Sequence, residues 1–460
     1  MVRKTLIVTA VCVLGSILAV RILRAQSPIA TSSGPTFSRD VAPILYKNCT
    51  SCHRPGEIGP MSLLTYQGVR PWAKSIAARV TAGTMPPWHA DPTIGEFQND
   101  RRLSPAERET LLQWVANGAP EGDPKDLPAP PRYADGWMIG QPDAVLTMRE
   151  DYPIPATGTI AYQYFEVPTN FTEDKFIQAF EVRPGNRAVV HHVIVYTRPP
   201  APAERPRPVP GARRPVPVFE FADGMEIPAG QTGGPKLPPD QQKPLGPNDR
   251  PAPKMLGPSI GAYVPGTSSR VYMPDAAARL VAGSTLIFQM HYTTTGKETT
   301  DRTSIGLIFA KTPPKIELRS TALINGNFQI PAGDPDYRVD AEMTVNRDVT
   351  LWGMLPHTHV RGKRWSYEVT FPDGSRQTIL SVPKYDFEWQ TDYVFKRPLT
   401  LPKGTRLHAT AWYDNSVGNK SNPDATKHVW WGDQTWEEMM FTGLTYSVDP
   451  APASTQAGAQ

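Results

Sequence analysis

Proline sets the terms for how this chain can fold. It recurs 51 times in 460 residues, and each occurrence fixes φ and removes a backbone donor, so long unbroken helices are excluded over most of the length. Short strands separated by turn residues are what such a pattern permits. The chain is therefore expected to be loop-rich and largely β. Its length exceeds one ordinary core and implies about three domains. With 48 basic against 44 acidic residues the net charge is only +4. No strongly basic face is available to neutralise phosphates, and no nucleic-acid partner is expected.

Residues 1–25 begin with Arg3 and Lys4, continue in an apolar run from Leu6 to Val20, and end in a small-residue region near Ala25. That layout is an export signal. The run falls short of the ~20 apolar residues of a spanning helix, whereas Arg21 and Arg24 make a poor cleavage region. Residues 1–25 are thus read as a signal peptide or an uncleaved N-terminal membrane anchor, and the protein as periplasmic or otherwise exported, soluble or anchored. Cys12 lies in this segment, which leaves Cys49 and Cys52 as the other cysteines. The cores have to hold without a disulfide framework.

Residues 36–122 are expected to form a first, helical unit. Cys49-Thr50-Ser51-Cys52-His53 is the attachment pattern of a covalent haem c, in which two thiols bond the porphyrin and the adjacent imidazole takes an axial position on iron. A thioredoxin-like pair or half a zinc site would not explain the histidine, and no second cysteine pair exists. Ser38 can cap a helix carrying Val41, Ile44 and Leu45 toward the haem. Ser104-Pro105-Ala106-Glu107 is a capping box with proline at the first helical position, and Asn117-Gly118 ends that helix. For the sixth iron ligand, Met85 in a proline-stiffened loop is preferred over His89, and Met61 lies too close to His53 to reach the opposite haem face. The segment resembles a small class I-like cytochrome c.

A proline-rich linker, residues 123–136, precedes two β units at 137–312 and 313–450, divided near Lys311-Thr312-Pro313-Pro314. A proline-rich insertion at 198–258, with Arg205, Arg207, Arg213 and Arg214, is read as an irregular surface excursion. The histidines beyond the first unit form a pattern. His357 and His359, two apart in an extended chain, project from one face within reach of one metal. His191 and His192 are adjacent and should face opposite ways, so they can share a metal only where the strand bulges or twists. His291 stands late in the strand Phe288-Gln289-Met290-His291-Tyr292.

In this order, His-His, Gln-Met-His-Tyr, His-Thr-His with Gly-Lys, and Glu-Glu-Met, the motifs resemble those of the copper type II, ascorbate-dependent monooxygenases. That family includes peptidylglycine alpha-hydroxylating and dopamine beta-monooxygenases. The resemblance spans 137–448. It implies two mononuclear coppers, one in each of two β-sandwich domains facing across a solvent cleft. His191, His192 and His291 would hold the electron-transfer copper; His357, His359 and Met439 would hold the oxygen-activating one, with Met440 as the fallback sulfur. A thioether favours Cu(I). His408 and His428 fall outside the pattern and are read as structural. The stretch also departs from the family: it has no cysteine, and Leu355 and Gly443 stand where the peptide-amidating enzyme has an arginine and a tyrosine that grip substrate. A neutral or apolar substrate is expected in a pocket between the β units.

The resulting expectation is a multidomain protein, a small all-α cytochrome c domain followed by two all-β, jelly-roll-like sandwiches. Its partners would be O2, a small organic substrate whose C–H bond is hydroxylated, and an external electron donor such as a cytochrome, a quinol-linked protein or a small reductant. The alternative expectation is a copper and haem protein that transfers electrons or binds copper without hydroxylating anything.

Overall fold

The computed structural model describes residues 34–133, 136–200, 225–226, 258–264 and 269–449. Residues 1–25, read above as an export signal, and most of the insertion at 198–258, including Arg205, Arg207, Arg213 and Arg214, lie outside the described residues. What is described is mostly β with few helices. Among the described residues no helix is long and apolar enough to cross a membrane.

Helices α1 (Ala42–Asn48), α2 (Ala73–Thr81) and α3 (Pro105–Ala116) gather around a cluster that includes Phe37, Leu45, Val69, Leu111 and Trp114. The capping box forms as read: Glu107 N–H donates to Ser104 Oγ at 3.2 Å and Ser104 N–H to the Glu107 carboxylate at 2.8 Å. Glu107 also accepts from Lys47 Nζ at 2.9 Å, which ties α3 to α1. The first cap differs from expectation. Thr36, not Ser38, accepts from Arg39 N–H, while Asp40 reaches back to Thr36 N–H at 2.7 Å. This reciprocal pair closes the chain end two residues earlier and leaves Ser38 buried inside the first turn.

The middle of the 36–122 stretch leaves these helices. Residues 88–99 form a strap across the last β unit: Trp88, Ala90 and Phe97 lie in that unit's core, Asp91 N–H donates to Ser381 O at 2.9 Å, and Gln98 N–H to Val394 O at 2.8 Å. The linker is likewise fastened at its end. Tyr133 donates to Thr50 Oγ1 and lies against the Arg54 guanidinium, 3.8 Å from its ring centre.

The first β unit contributes β1 (Gln163–Pro168), β2 (Lys175–Arg183), β3 (Val190–Arg198), β4 (Ser259–Tyr263), β5 (Ala276–Leu280), β6 (Thr285–Tyr292) and β7 (Ser304–Phe309). The second contributes β8 (Ile316–Ile324), β9 (Tyr337–Val345), β10 (Val349–His357), β11 (Gly362–Thr370), β12 (Arg376–Val382), β13 (Tyr393–Leu401), β14 (Arg406–Tyr413) and β15 (Phe441–Val448). Alternation dictates the half-buried strands: β11 turns Trp365, Tyr367 and Val369 inward and polar residues outward. Nearly every residue of β6 is buried, because both of its faces are covered. A four-stranded sheet runs β1-β6-β3-β4, and a second sheet runs β12-β11-β14-β9.

The largest sheet crosses the expected boundary. Its order is Ala144–Thr147, β7, β2, β5, β8, β15, β10, β13. The crossing is the parallel pair β5–β8, with Ala276 opposite Ile316 and Ala278 opposite Leu318. Pro313 and Pro314 do separate β7 from β8, but the sheet continues past them through β5. The two units are therefore joined by backbone hydrogen bonds as well as by chain.

Candidate metal centre

Parity on β3 and β6 decides where the histidines go. Val193 and Val195 on β3, like Phe288 and Met290 on β6, point into the first core, so His192 and His291 take the opposite face beside Tyr162, Tyr164 and Tyr196. They are also directly opposed, His291 with His192. The next pairing is Tyr292 with Val190, which leaves His191 as an extra residue on its strand. That β-bulge is the device that brings adjacent imidazoles to one side. His191 Nδ1 lies 3.1 Å from His192 Nδ1, and His291 Nδ1 lies 3.4 Å from the same atom. Ligand atoms of all three rings fall within 4.8 Å of one another.

Two of the three outward nitrogens are held from the second β unit, and His192 Nε2 is buried without a partner. His191 Nε2 donates to Glu388 Oε2 at 2.9 Å, and His291 Nε2 meets Thr435 Oγ1 at 3.2 Å. Fixing Nε2 in this way leaves Nδ1 lone pairs turned inward, the usual division of labour at a metal-binding imidazole. Burial, and then the neighbouring imidazoles, hold His192 and His291 well below the ordinary histidine value. Both rings stay neutral near pH 7, the form that binds a metal.

A second bulge sets the other pair. In β10 the core residues are Val349 and Leu351, then the register shifts between Leu351 and Gly353, and Met354 becomes the core residue. Leu355 and His357 thereby face the seam between the units. His357 Nδ1 donates to Gln390 Oε1 at 2.7 Å and His359 Nδ1 to Glu437 O at 3.1 Å. Their Nε2 atoms are left for another partner, and His359 Nε2 is buried without one. Burial depresses His357 to about 4 and holds His359 well below the ordinary histidine value.

Glu438 organises this pair. Its two oxygens accept the N–H groups of His359 and Arg361 at 2.7 Å each, and Arg361 in turn donates to Asn415 Oδ1 at 2.9 Å and Trp436 O at 3.1 Å. Both side chains are buried, Glu438 wholly and Arg361 to 2% exposure. Burial raises the Glu438 carboxyl, opposed by Arg361 and the N–H donors. The clip lays the segment before β15 along the His357–His359 turn. Met439, next to Glu438, is half-buried, with its carbonyl held by Tyr413 Oη at 2.8 Å. Met440 is fully buried in the second core, so its side chain is already committed.

The two histidine sets are not separated by an open cleft. The rings of His192 and His357 are 6.3 Å apart between centroids. Tyr162 contacts His291 at 4.9 Å and His359 at 6.2 Å, while Phe387 stacks on His191 at 5.2 Å and lies 6.3 Å from His359. Five histidines thus line one buried chamber with two aromatic rings between them. The expected cleft is replaced because β5–β8 pairing holds the units together. Beside the chamber, Leu355 is paired with Gly443, and both line a seam cavity of about 140 Å3 with Ile194, Tyr196 and Phe441.

Other residues singled out from sequence are placed as follows. His408 pairs with Asp340 at 3.0 Å, and His428 lies 6.2 Å from the Trp430 ring. Cys49 and Cys52 are free thiols at the end of α1, where the N–H groups of Cys52 and His53 both donate to Cys49 O. Burial pushes the Cys49 thiol up to about 12, opposite to what a reactive redox thiol needs. A Cβ on Gly59 would lie 2.6 Å from His53 Nδ1, so only glycine lets this loop close on the ring. Met61 packs with Cys49 against the helical cluster. Met85 is half-buried just before the strap, and His89 lies within the strap near Asp386 and Lys384.

Sequence reading did not find Gln390, Glu388, Thr435, Phe387 or Tyr162, which come from loops far along the chain and carry no motif. Glu438 left a signal in the sequence, its place in the Glu-Glu-Met motif.

No family model and no curated protein matches the chain. Among solved structures it is similar to infectious bursal virus derived particles, at 9% identity over 67% of this chain and 74% of that chain, with a TM-score of 0.16. It is also similar to allantoicase from Saccharomyces cerevisiae, at 7% identity over 57% of this chain and 80% of that one, with a TM-score of 0.15. Scores this low carry no argument about fold or activity.

Proposed function

We propose that the chain is an exported, haem- and copper-containing monooxygenase that hydroxylates a C–H bond of a small organic substrate with O2. Electrons would come from an external donor through an N-terminal all-α cytochrome c domain, and the two β units would be jelly-roll-like sandwiches. The observation that carries the proposal is the chamber: three Nδ1 atoms converge in one set, and an unpartnered buried Nε2 stands in the other. Imidazole nitrogens 3.1 and 3.4 Å apart can hydrogen-bond to one another while no ion is bound and are close enough to share a cation. Copper would be held by His191, His192 and His291 in one site and by His357, His359 and Met439 in the other, where the thioether selects Cu(I). Haem would be bonded to Cys49 and Cys52, with His53 and Met85 as axial ligands; His89 is the weaker choice, since it lies in the strap.

Bound copper would supply one-electron chemistry on O2, and bound haem a store of electrons. The protein's own part is positional. Glu388, Thr435, Gln390 and the Glu437 carbonyl orient four of the five rings, those of His191, His291, His357 and His359. Tyr162 and Phe387 keep water from the space between the sets. Leu355 and Gly443 give the seam cavity an apolar lining with no grip for a carboxylate, which suits a small neutral molecule.

The cavity's small size and the closed chamber also favour a second reading, electron transfer or copper binding without hydroxylation. One experiment separates them: quantify covalent haem and copper on the purified chain, then measure reductant-dependent O2 uptake against oxygenated product. One product per O2 supports the monooxygenase. Copper and haem that cycle without product leave the second reading.

A further inference from the structure

The seam cavity has two unlike ends. Its floor is β10 and β15, whose pairs follow in order: Gly353 opposite Thr445, Leu355 opposite Gly443, His357 opposite Phe441. Thr445, Leu355, Gly443 and Phe441 all line the cavity, and the Phe441 ring lies 6.0 Å from that of His357. The seam side of β3 keeps the same order on the facing wall, with His192 at the metal end and then Ile194 and Tyr196 in the lining. One end of the cavity therefore adjoins the histidines across apolar side chains.

The other end is polar. Arg270, from the short strand Ser269–Val271, and Asp392, the residue before β13, both line the cavity, and Arg270 Nη1 donates to Asp392 Oδ2 at 2.8 Å. A Cβ on Gly353 would lie 3.4 Å from Arg270 Nη2 and from Asp392 Oδ1, which puts the pair beside Gly353. Neither of those two atoms makes a hydrogen bond among the described residues, so a donor and an acceptor are left over near one another in a largely buried pair. Tyr196, 6% exposed, adds a hydroxyl that no described residue meets. Polar groups this deeply placed are ordinarily partnered. Four residues separate Gly353 from His357, about 13 Å along an extended strand.

We infer that Arg270 and Asp392 are specificity-determining residues that hold the uncharged hydrogen-bonding head of a substrate, a hydroxyl or a carboxamide, so that its apolar tail runs past Leu355 and Gly443 toward His357. The charges of the pair cancel. A carboxylate would meet Asp392 beside Arg270, and an ammonium would meet Arg270 beside Asp392, so neither is favoured. The substrate class is a slender neutral molecule, polar at one end, with the C–H bond to be hydroxylated at the other. The inference rests on the monooxygenase reading for the reaction but not for binding, which needs only the cavity.

The test titrates the purified, copper-loaded full chain by calorimetry, without O2, using three probes of one shape: para-propylbenzyl alcohol, para-propyltoluene and para-propylbenzoate. The alcohol should bind about tenfold tighter than the hydrocarbon, as one net hydrogen bond gives, and about tenfold tighter than the benzoate. Arg270→Met combined with Asp392→Leu should bring alcohol and hydrocarbon within about twofold of each other while the hydrocarbon still binds. Asp392→Asn keeps the shape and leaves the Arg270 charge unopposed, so the benzoate should overtake the alcohol by about tenfold. A pair that only tied the two units together would weaken all three probes alike and leave their order as it was. Equal binding of alcohol and hydrocarbon by the parent, or an unchanged order in Asp392→Asn, overturns the inference alone; if the double variant does not fold, Asp392→Asn decides. A parent that binds none of the probes overturns the inference together with the placing of substrate in the seam cavity. The expected order of binding without any oxygenated product on adding reductant and O2 supports the site and overturns the monooxygenase reading.

Discussion

Replacing Glu438 by glutamine should loosen one copper site without touching a ligand. The Glu438 oxygens accept the buried N–H groups of His359 and Arg361 at 2.7 Å each, and the one bonded to His359 also accepts Met439 N–H at 3.2 Å. Glutamine offers one acceptor oxygen and one NH2 group, so at least one of those donors loses its partner, at about 1–3 kcal/mol. The substitution also removes the carboxylate facing Arg361. Arg361 keeps Asn415 Oδ1 and Trp436 O, so the local loss is that of the unmet donor, about 1–3 kcal/mol. Hydrogen exchange on β10 and β15 in the metal-free chain measures it, because these strands carry His357 and the segment after Met439. Copper affinity of the His357 and His359 site should fall about 10–100-fold, as it does when groups behind metal ligands are removed, and the three-histidine site should keep its copper. Exchange protection within about 1 kcal/mol of the parent, together with unchanged affinity, would refute the role assigned to Glu438.

His192→Ala and His359→Ala should each lower copper content by one ion per chain and leave haem content as it was, read by metal analysis after copper loading. Met440→Ala should cost about 2–5 kcal/mol of stability as a core truncation. Met439→His should cost little stability, keep a metal bound and lower the preference for Cu(I), which a competition titration with a Cu(I) chelator would show. The metal-free chain should weaken in acid. His357 titrates at about 4 in the fold against an ordinary 6.5, so the unfolded chain takes up the proton first, and stability present above pH 6.5 is lost as the pH falls. About 3 kcal/mol is gone by pH 4 from this ring alone, and denaturation midpoints over that range, compared with the copper-loaded chain, check it.

Residue types were easier to read from sequence than their surroundings. The Cys49 to His53 motif, the capping box at Ser104 and the histidine pairs are local, and each can be recognised from its own spacing. The condition placed on His191 and His192, a bulge, is met by the register jump past His191. The bulge in β10 was not legible, because a register shift between Leu351 and Gly353 depends on two neighbouring strands. The sheet that crosses the boundary near Pro313 was hidden for a related reason. Ala276-Ala277-Ala278 favours helix by propensity, yet it becomes the strand that carries the large sheet from one unit to the next. The strap at 88–99 was also hidden, since its aromatic residues read equally well as part of a helical core.

That continuous sheet bears on how the two copper sites would work together. A hinge between two sandwiches would let the histidine sets approach and part, with solvent between them. Here the units share β5–β8 backbone pairing, an Arg270–Asp392 ion pair at 2.8 Å and a bond from Tyr162 N–H to Gln434 at 2.9 Å. The outward nitrogens of His191 and His291 are satisfied by Glu388 and Thr435 of the second unit, so the first site is complete only while the second is docked. A large substrate cannot pass between units joined in this way. A small apolar one can occupy the seam cavity beside Leu355 and Gly443 without moving either unit. Under the proposed function, the absence of a carboxylate grip at Leu355 and Gly443 and the sheet that joins the units would act in the same direction, toward a small neutral substrate.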